Sequence, residues 1–390
     1  VIAAEFAYLS DGSFRMIELE NKTSGKVWRT FSESLRSSES DQLRNTYTML
    51  GYARRRIAKQ GMQHVFRLRN ERTGLEESKI VELYPGQPFL RMRTVYANTT
   101  RQDVAVTHVP LADWSLEVLH PTKLSALSVN QWWRPKTDGN FEVKETWLSE
   151  ATPEVVLNTG AYGKQCTWAA VRDRVSRNGL VFGWEFNGSA QASIRQDILW
   201  GVVRVFVEIA QMHQVISPGE IFEAPASFIG LFRGDWDEAG YRTQRFVERV
   251  LAKPIPDPKR FPYLMLDSWG YQQDINEAEL YRAAKIASEL GVEVFTVDLG
   301  WARTIGDWHH DPKKFPQGLR ALSDFVHSLG MKFGLHWALA EAHADSPVLR
   351  EHPEWRSSVN NGYFGADSLC LGHEPVKRWL TKEGIRLIKE

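Results

Sequence analysis

Through the first 245 residues, apolar and β-branched positions come in short runs with polar residues between them. FRMIELEN (14–21), SKIVELY (78–84), FLRMRTVYAN (89–98), DVAVTHVPLA (103–112), TWAAVRD (167–173), LVFGWEF (180–186) and VVRVFVEI (202–209) each have the length and residue types of a strand. Turn chemistry separates them, with DG at Asp11, PGQP at Pro85 and DGN at Asp138. So many short strands predict an all-β domain of two packed sheets rather than one small barrel.

The period changes after Pro218. DWDEAGYRTQRFVERVL reads as a helix, and the Pro-rich KPIPDPKRFP (253–262) as a stiff connection. We therefore divide the chain into a β-sandwich domain (1–245), a linker (246–261) and a βα region (262–390). That region opens with the strand YLMLDSWG, which ends at Asp267 and Trp269. A helix follows from Asn276, with acids in its first turn and Gly291 at its close. The strand VEVFTVDLGW then runs into Asp298 and Trp301. After the long loop ARTIGDWHHDPKKFPQG come a helix from Leu319 to Leu329, capped by Gly330, and the strand KFGLHW, which ends at His336 and Trp337. A last helix is predicted from Pro375 to the chain end.

Strand, helix, strand, helix, strand predicts parallel βα architecture with functional groups at the strand C-termini. The fold class is thus multidomain, β plus α/β. An eight-stranded (β/α)8 barrel needs roughly 250 residues, about twice what 262–390 supplies. The expectation is that the sequence stops inside a domain: the natural protein continues past Glu390, or a partner chain holds the missing half. An open doubly wound sheet is the alternative.

Charge changes this picture little. Lys plus Arg equals Asp plus Glu at 48 each, so no global field recruits nucleic acid or an anionic membrane. No run of about eighteen apolar residues suggests a membrane span. The expected localisation is that of a soluble protein, cytoplasmic or secreted, with the compartment undecided. Cys166 and Cys370 are too few and too far apart for a disulfide scaffold or a structural zinc site. Asn21, Asn98 and Asn187 match the N-glycosylation pattern. The 15 Trp residues are the departure from ordinary composition, and indoles serve both as core filling and as platforms for the C–H faces of sugars.

Asp298 is the foremost candidate for function, because a carboxylate at a barrel-strand C-terminus can accept hydrogen bonds from neighbouring sugar hydroxyls. Asp267 holds the corresponding place one strand earlier, where DSWG also makes an ordinary Asx turn. Trp269, Trp301, Trp308 and Trp337 surround the same strand ends, as stacking platforms or as buried packing. Asp307, His309, His310 and Asp311 have the composition of a metal set, but their spacing fits no zinc or iron scaffold. Glu341 follows the third strand, and with Asp298 it could form a carboxylate pair of the kind glycosidic cleavage needs.

The order LDSWG (266–270), ELGVEVFTVDLGW (289–301), GDWHHDPKKFPQGL (306–319), LGMKFGLHW (329–337) and SPVLREHPEW (346–355) resembles glycoside hydrolase family 36, the melibiase-type α-galactosidases. SPGEIFEAPASFIGLFRGDWDEAGYRTQRFVERVL resembles the family's passage from β domain to barrel. The resemblance implies a β-supersandwich followed by a (β/α)8 TIM barrel, of which this chain holds the first half. It implies a retaining α-glycoside hydrolase of carbohydrate metabolism, α-galactosidase-like and acting on terminal α-linked sugars, with no cofactor and no metal. It places both catalytic Asp residues after Glu390, so the 390-residue chain alone is expected to be inactive. Asp298 is expected to bind the glycone, Trp269 and Trp301 to shape its pocket, and His336 or Trp337 to press on its apolar face. Asp307 and Glu341 complete the expected substrate-binding set.

Two positions depart from the family pattern. Leu299 stands where members have a second Asp, and His336 stands where they have Trp. An α-glycosidase with another glycone is therefore a competing account, as are a carbohydrate-binding protein without hydrolysis and an unrelated barrel enzyme using Asp298 with Glu341. The implied partners are an oligosaccharide or glycoside substrate and, since members often form dimers or tetramers, a homo-oligomer.

Overall fold

The computed structural model describes residues 1–30, 46–130, 142–160, 164–210, 212–255, 257, 259, 261–358, 362 and 365–390. The turn read at Asp138 and part of the Pro-rich connection lie outside them. Two compact units divide the chain, Val1–Lys253 and Pro254–Glu390.

The first unit is built from antiparallel strands. Ten form one sheet, whose middle runs Gln165–Asp173, Asn178–Trp184, Ser227–Arg233, Phe89–Ala97, Glu76–Leu83 and Met62–Asn70. Four more form a second sheet in the order Glu154–Asn158, Ala190–Asp197, Val202–Ile209, Pro110–Glu117. An N-terminal sheet of three, Ile2–Tyr8, Phe14–Asn21 and Lys26–Arg29, adds a third layer of strands. One core joins all three: Leu180, Phe182 and Ile229 from the large sheet meet Trp114, Ile194 and Val205 from the second and Leu19 and Trp28 from the third.

Asn178–Trp184 is buried at every position because the large sheet is covered on both faces. On its other face Phe89, Phe228, Phe232 and Val181 pack against Ala239 and Phe246 of the helix Trp236–Phe246. This helix starts at Asp235, whose carboxylate accepts the Glu238 N–H and takes up one of the first-turn donors. Glycine makes the packing close. A Cβ at Gly179, Gly183 or Gly230 would lie within 2.4 Å of the ring of Phe232, Phe228 or Phe89 respectively.

Two of the glycosylation matches are turn-forming side chains instead. Asn21 is 4% exposed and accepts the Thr23 and Ser24 N–H groups. Asn98 is 1% exposed and donates to the carbonyls of Gln102 and Ile216. A buried amide engaged in this way is no acceptor for a glycan in the folded chain.

The second unit holds three parallel strands in the order Met265–Asp267, Val294–Val297, Lys332–Leu335. Among the described residues they do not close into a barrel. The helices Glu277–Glu289 and Gly318–Ser328 bring Leu280, Ala284, Leu322 and Val326 against Phe295 and Val297, the two inward residues of the middle strand. Asn276 caps the first helix by accepting the Glu279 N–H, and Gly330 closes the second at φ +83°. The last helix is Glu374–Lys389.

The long loop is more ordered in form than its sequence suggested. Ala302–Thr304 and Asp307–His310 pair as an antiparallel hairpin, turning at Gly306 with φ +91°. Apolar alternation is weak in so short a hairpin; its geometry comes from the Asp307 carboxylate, which accepts from Arg303 Nη2 at 2.9 Å and lies 2.9 Å from His309 Nδ1.

Candidate functional site

The C-terminal ends of the three parallel strands carry Asp267, Asp298 and His336, and the structure brings these three together. Parallel pairing sets the levels, since Asp267 is opposite Thr296 and Thr296 is opposite Gly334. Gly334 is required beside Thr296, because a Cβ there would lie 2.7 Å from Thr296 Oγ1.

Asp298 is 8% exposed. Its Oδ1 accepts the Leu299 N–H at 2.5 Å and lies 3.1 Å from His336 Nδ1. Its own N–H donates to the hydroxyl of Ser268, a fully buried residue on the first strand's turn, at 2.8 Å. Asp267 accepts the Trp269 N–H at 2.8 Å and lies beside the Asp298 carboxylate. Desolvation raises the Asp267 carboxyl above the ordinary range; the Trp269 N–H opposes this, the Asp298 charge adds to it, and His336 pulls the other way. The arrangement is two carboxyls and an imidazole close together at the strand ends, with groups suited to bonding hydroxyls.

The indoles take different places. Trp301 is 1% exposed, and its Nε1–H donates to the His336 carbonyl at 2.8 Å. It lies beneath the cluster and fixes the backbone that carries His336, rather than standing as an exposed platform. Trp308 is equally buried, 6.0 Å from Trp301 and 6.4 Å edge-on to Trp337. Trp337 and Trp269 are half-buried.

Asp307 is held by Arg303 and His309 in the hairpin. Glu341 begins a two-residue strand paired with Asp367–Ser368. Asp311 accepts the Lys313 N–H in a turn, and His309 and His310 are exposed. Among the described residues, no group of three or more His, Cys, Asp or Glu side chains could hold a metal ion.

Residue-type reasoning missed two supports. Ser268 lies in a turn motif, yet its hydroxyl ties the first strand to the second. Lys314, in the KKFPQG stretch, donates to the Gln273 carbonyl at 2.7 Å and the Gly300 carbonyl at 3.1 Å, so one ammonium joins the loops after the first and second strands. Glu277 strengthens the joint, accepting the Gln317 N–H and donating its own N–H to the Lys314 carbonyl. Gly300, at φ +103°, allows the close approach: a Cβ would lie 2.4 Å from the Gln273 oxygen. Its place just after Asp298 and Leu299 was the available signal.

The melibiase family matches residues 222–364. Among curated relatives, α-galactosidase AgaA of Geobacillus stearothermophilus is 29% identical over 195 residues, covering 47% of this chain and 26% of that protein. α-Galactosidase 1 of Pediococcus pentosaceus is 37% identical over 158 residues, 36% of this chain and 21% of the relative. The A type blood α-D-galactosamine galactosaminidase of Flavonifractor plautii is 30% identical over 156 residues, 38% of this chain and 14% of the relative. The matched stretches thus span about a quarter or less of these relatives' lengths.

In three dimensions the whole chain superposes on 63% of a crystal structure of the AgaA enzyme in complex with 1-deoxygalactonojirimycin, with a TM-score of 0.81 at 15% identity. It likewise covers 61% of the α-galactosidase of Lactobacillus brevis, with a TM-score of 0.78 at 16% identity. Sequence and fold point the same way: residues 222–364 are homologous to the melibiase-type family, glycoside hydrolase family 36, and the chain shares the fold of solved α-galactosidases of that family.

Proposed function

We propose that this chain carries the glycone-binding part of an α-glycoside hydrolase whose sugar preference departs from galactose, and that its three βα units are the first part of a (β/α)8 barrel. The observation that carries the reading is the Asp267, Asp298 and His336 cluster at the ends of adjacent parallel strands. Asp298 would take glycone hydroxyls on its carboxylate, His336 would fix that carboxylate, and Asp267 would offer a second carboxyl group to the sugar's hydroxyls. Trp269 and Trp337 would border the ring, with Trp301 supporting them from below. Asp307 and Glu341 would belong to the outer rim. We assign no catalytic nucleophile or acid/base among these residues.

The altered preference is argued from Leu299 and His336. Leu299 is 6% exposed and can neither donate nor accept a side-chain hydrogen bond where the family pattern has an acid. Losing such a contact costs about 1–3 kcal/mol of discrimination for the hydroxyl it would bind. Support for α-linked sugars comes from the relatives, named for α-galactosidase and galactosaminidase activity, and from family structures solved in complex with stachyose and raffinose.

A second reading is a carbohydrate-binding member without hydrolysis. It is favoured by the engagement of Asp298 Oδ1 with both the Leu299 N–H and His336. The test is an assay of the naturally expressed protein on a panel of aryl α-glycosides, with sugar binding measured in parallel. Turnover greatest on a glycone other than galactose supports the first reading. Binding without turnover on any glycone supports the second, and neither binding nor turnover refutes both.

A further inference from the structure

The first unit contains a cavity of about 810 Å³, a size suited to a small ligand, and it belongs to none of the chemistry described above. Its walls come from the strands Phe14–Asn21, Glu76–Leu83, Phe89–Ala97, Pro110–Glu117 and Val202–Ile209. Ionised side chains crowd it, and four of the cations sit beside carboxylates. Arg204 lies 3.2 Å from Asp113, Arg15 is 3.1 Å from Asp11, Lys79 is 2.7 Å from Glu77, and Arg93 is 2.8 Å from Glu82.

That pairing decides the class of ligand. Pairing of most of these charges weakens the field that would concentrate an anion, while the Arg204 N–H groups and Asp113 lone pairs beyond their own contact can meet hydroxyls of either sense. Arg204 and Asp113 are the accessible pair, with side chains 41% and 44% exposed. The Arg204 guanidinium stands 5.4 Å over the Phe206 ring, and Phe6 and Phe14 add further apolar surface. Aromatic faces suit the C–H side of a pyranose ring and the paired ions suit its edge.

We infer that this cavity is a second sugar site, taking a neutral oligosaccharide against Arg204, Asp113 and the neighbouring phenylalanines, independent of Asp298. The choice of a sugar as ligand rests on the proposed function.

The test titrates the 390-residue chain with raffinose and, as an anionic control, with an oligogalacturonate. Calorimetry gives the stoichiometry, and spectral shifts in the first unit give the location. The variants are Arg204→Ala with Asp113→Ala, Arg204→Gln as a gentler change, and Asp298→Asn for the other site. Circular dichroism and thermal unfolding confirm that each is folded. Raffinose affinity falling at least tenfold in the Arg204 variants but unchanged in Asp298→Asn supports the inference. Binding lost only in Asp298→Asn overturns it while leaving the proposed function standing. Binding of the oligogalacturonate alone overturns the neutral-ligand argument. No binding of either probe also overturns the inference, and the aryl glycoside assay then decides the proposed function separately.

Discussion

Replacing Gly300 by alanine tests whether the candidate site is built by the close approach of two loops. At φ +103° an L residue is strained, which costs on the order of 1–3 kcal/mol. The new Cβ would also lie 2.4 Å from the Gln273 oxygen and 2.8 Å from its Cα, both backbone atoms. The Lys314 ammonium, 2.7 Å from the same carbonyl, holds that backbone in place, so overpacking adds about 1–3 kcal/mol. The expected loss is the sum, roughly 2–6 kcal/mol. Gly330 is the control. It has φ +83° with nothing within 4 Å of the built Cβ, so its alanine variant bears only the backbone cost, about 1–2 kcal/mol. Global unfolding of two units is not a two-state measurement, so the assay is native-state hydrogen exchange at the amides of Val294–Val297. Gly300→Ala should lower protection there by clearly more than Gly330→Ala. Equal losses would refute the argument that loop contact, and not φ alone, fixes Gly300.

Four further outcomes follow from the same geometry. The Asp267 carboxyl should titrate above its ordinary range by carbon NMR and move down in Asp298→Asn; since its folded pKa is raised, the associated stability is present at low pH and lost as pH rises through that value. Glu82, where burial is outweighed by hydrogen bonds from Arg91, Gln63 and Arg93, has its pKa lowered to about 2, so its contribution is present above the ordinary 4.5 and lost on acidification towards 2; Glu82→Gln should flatten acid unfolding in that window. Glu77→Gln leaves the Lys79 ammonium without its carboxylate at 2.7 Å and should cost about 3–5 kcal/mol, read in urea unfolding of the first unit. Trp301→Phe should leave the His336 carbonyl without its donor, cost about 1–3 kcal/mol, and weaken sugar binding at the candidate site in a fluorescence titration.

The elements that could be read from residues alone were those in which periodicity and end signals coincide. Val202–Ile209 alternates cleanly, and the helix Glu277–Glu289 has Asn276 before it and Gly291 after it. The hairpin Ala302–His310 was hidden because its geometry rests on an ion pair and a glycine, not on alternation. Strands such as Ile2–Tyr8 and Tyr47–Arg56 carry too many small or charged residues to signal themselves, and their burial depends on neighbours distant in sequence. At the site, Asp298 was visible because strand ends are where such folds place ligand groups. The exposure of each Trp was not visible, since an indole has the same pattern as a platform and as a core residue. Ser268 and Lys314 bond backbone atoms brought close only by the fold, so residue type alone could not single them out.

The glycine and phenylalanine contacts of the large sheet bear on alignment between strands. In the observed pairing Phe232 is opposite Gly179, Gly230 opposite Val181, Phe228 opposite Gly183, and Phe89 in turn opposite Gly230. Sliding one strand by two residues would keep every side chain on its own face, so hydrophobic alternation cannot forbid the slip. The size pattern does forbid it, because a displaced ring would meet Val181 where it now covers a hydrogen atom. Large and small residues alternate across three strands like the wards of a key, and only one offset lets it turn.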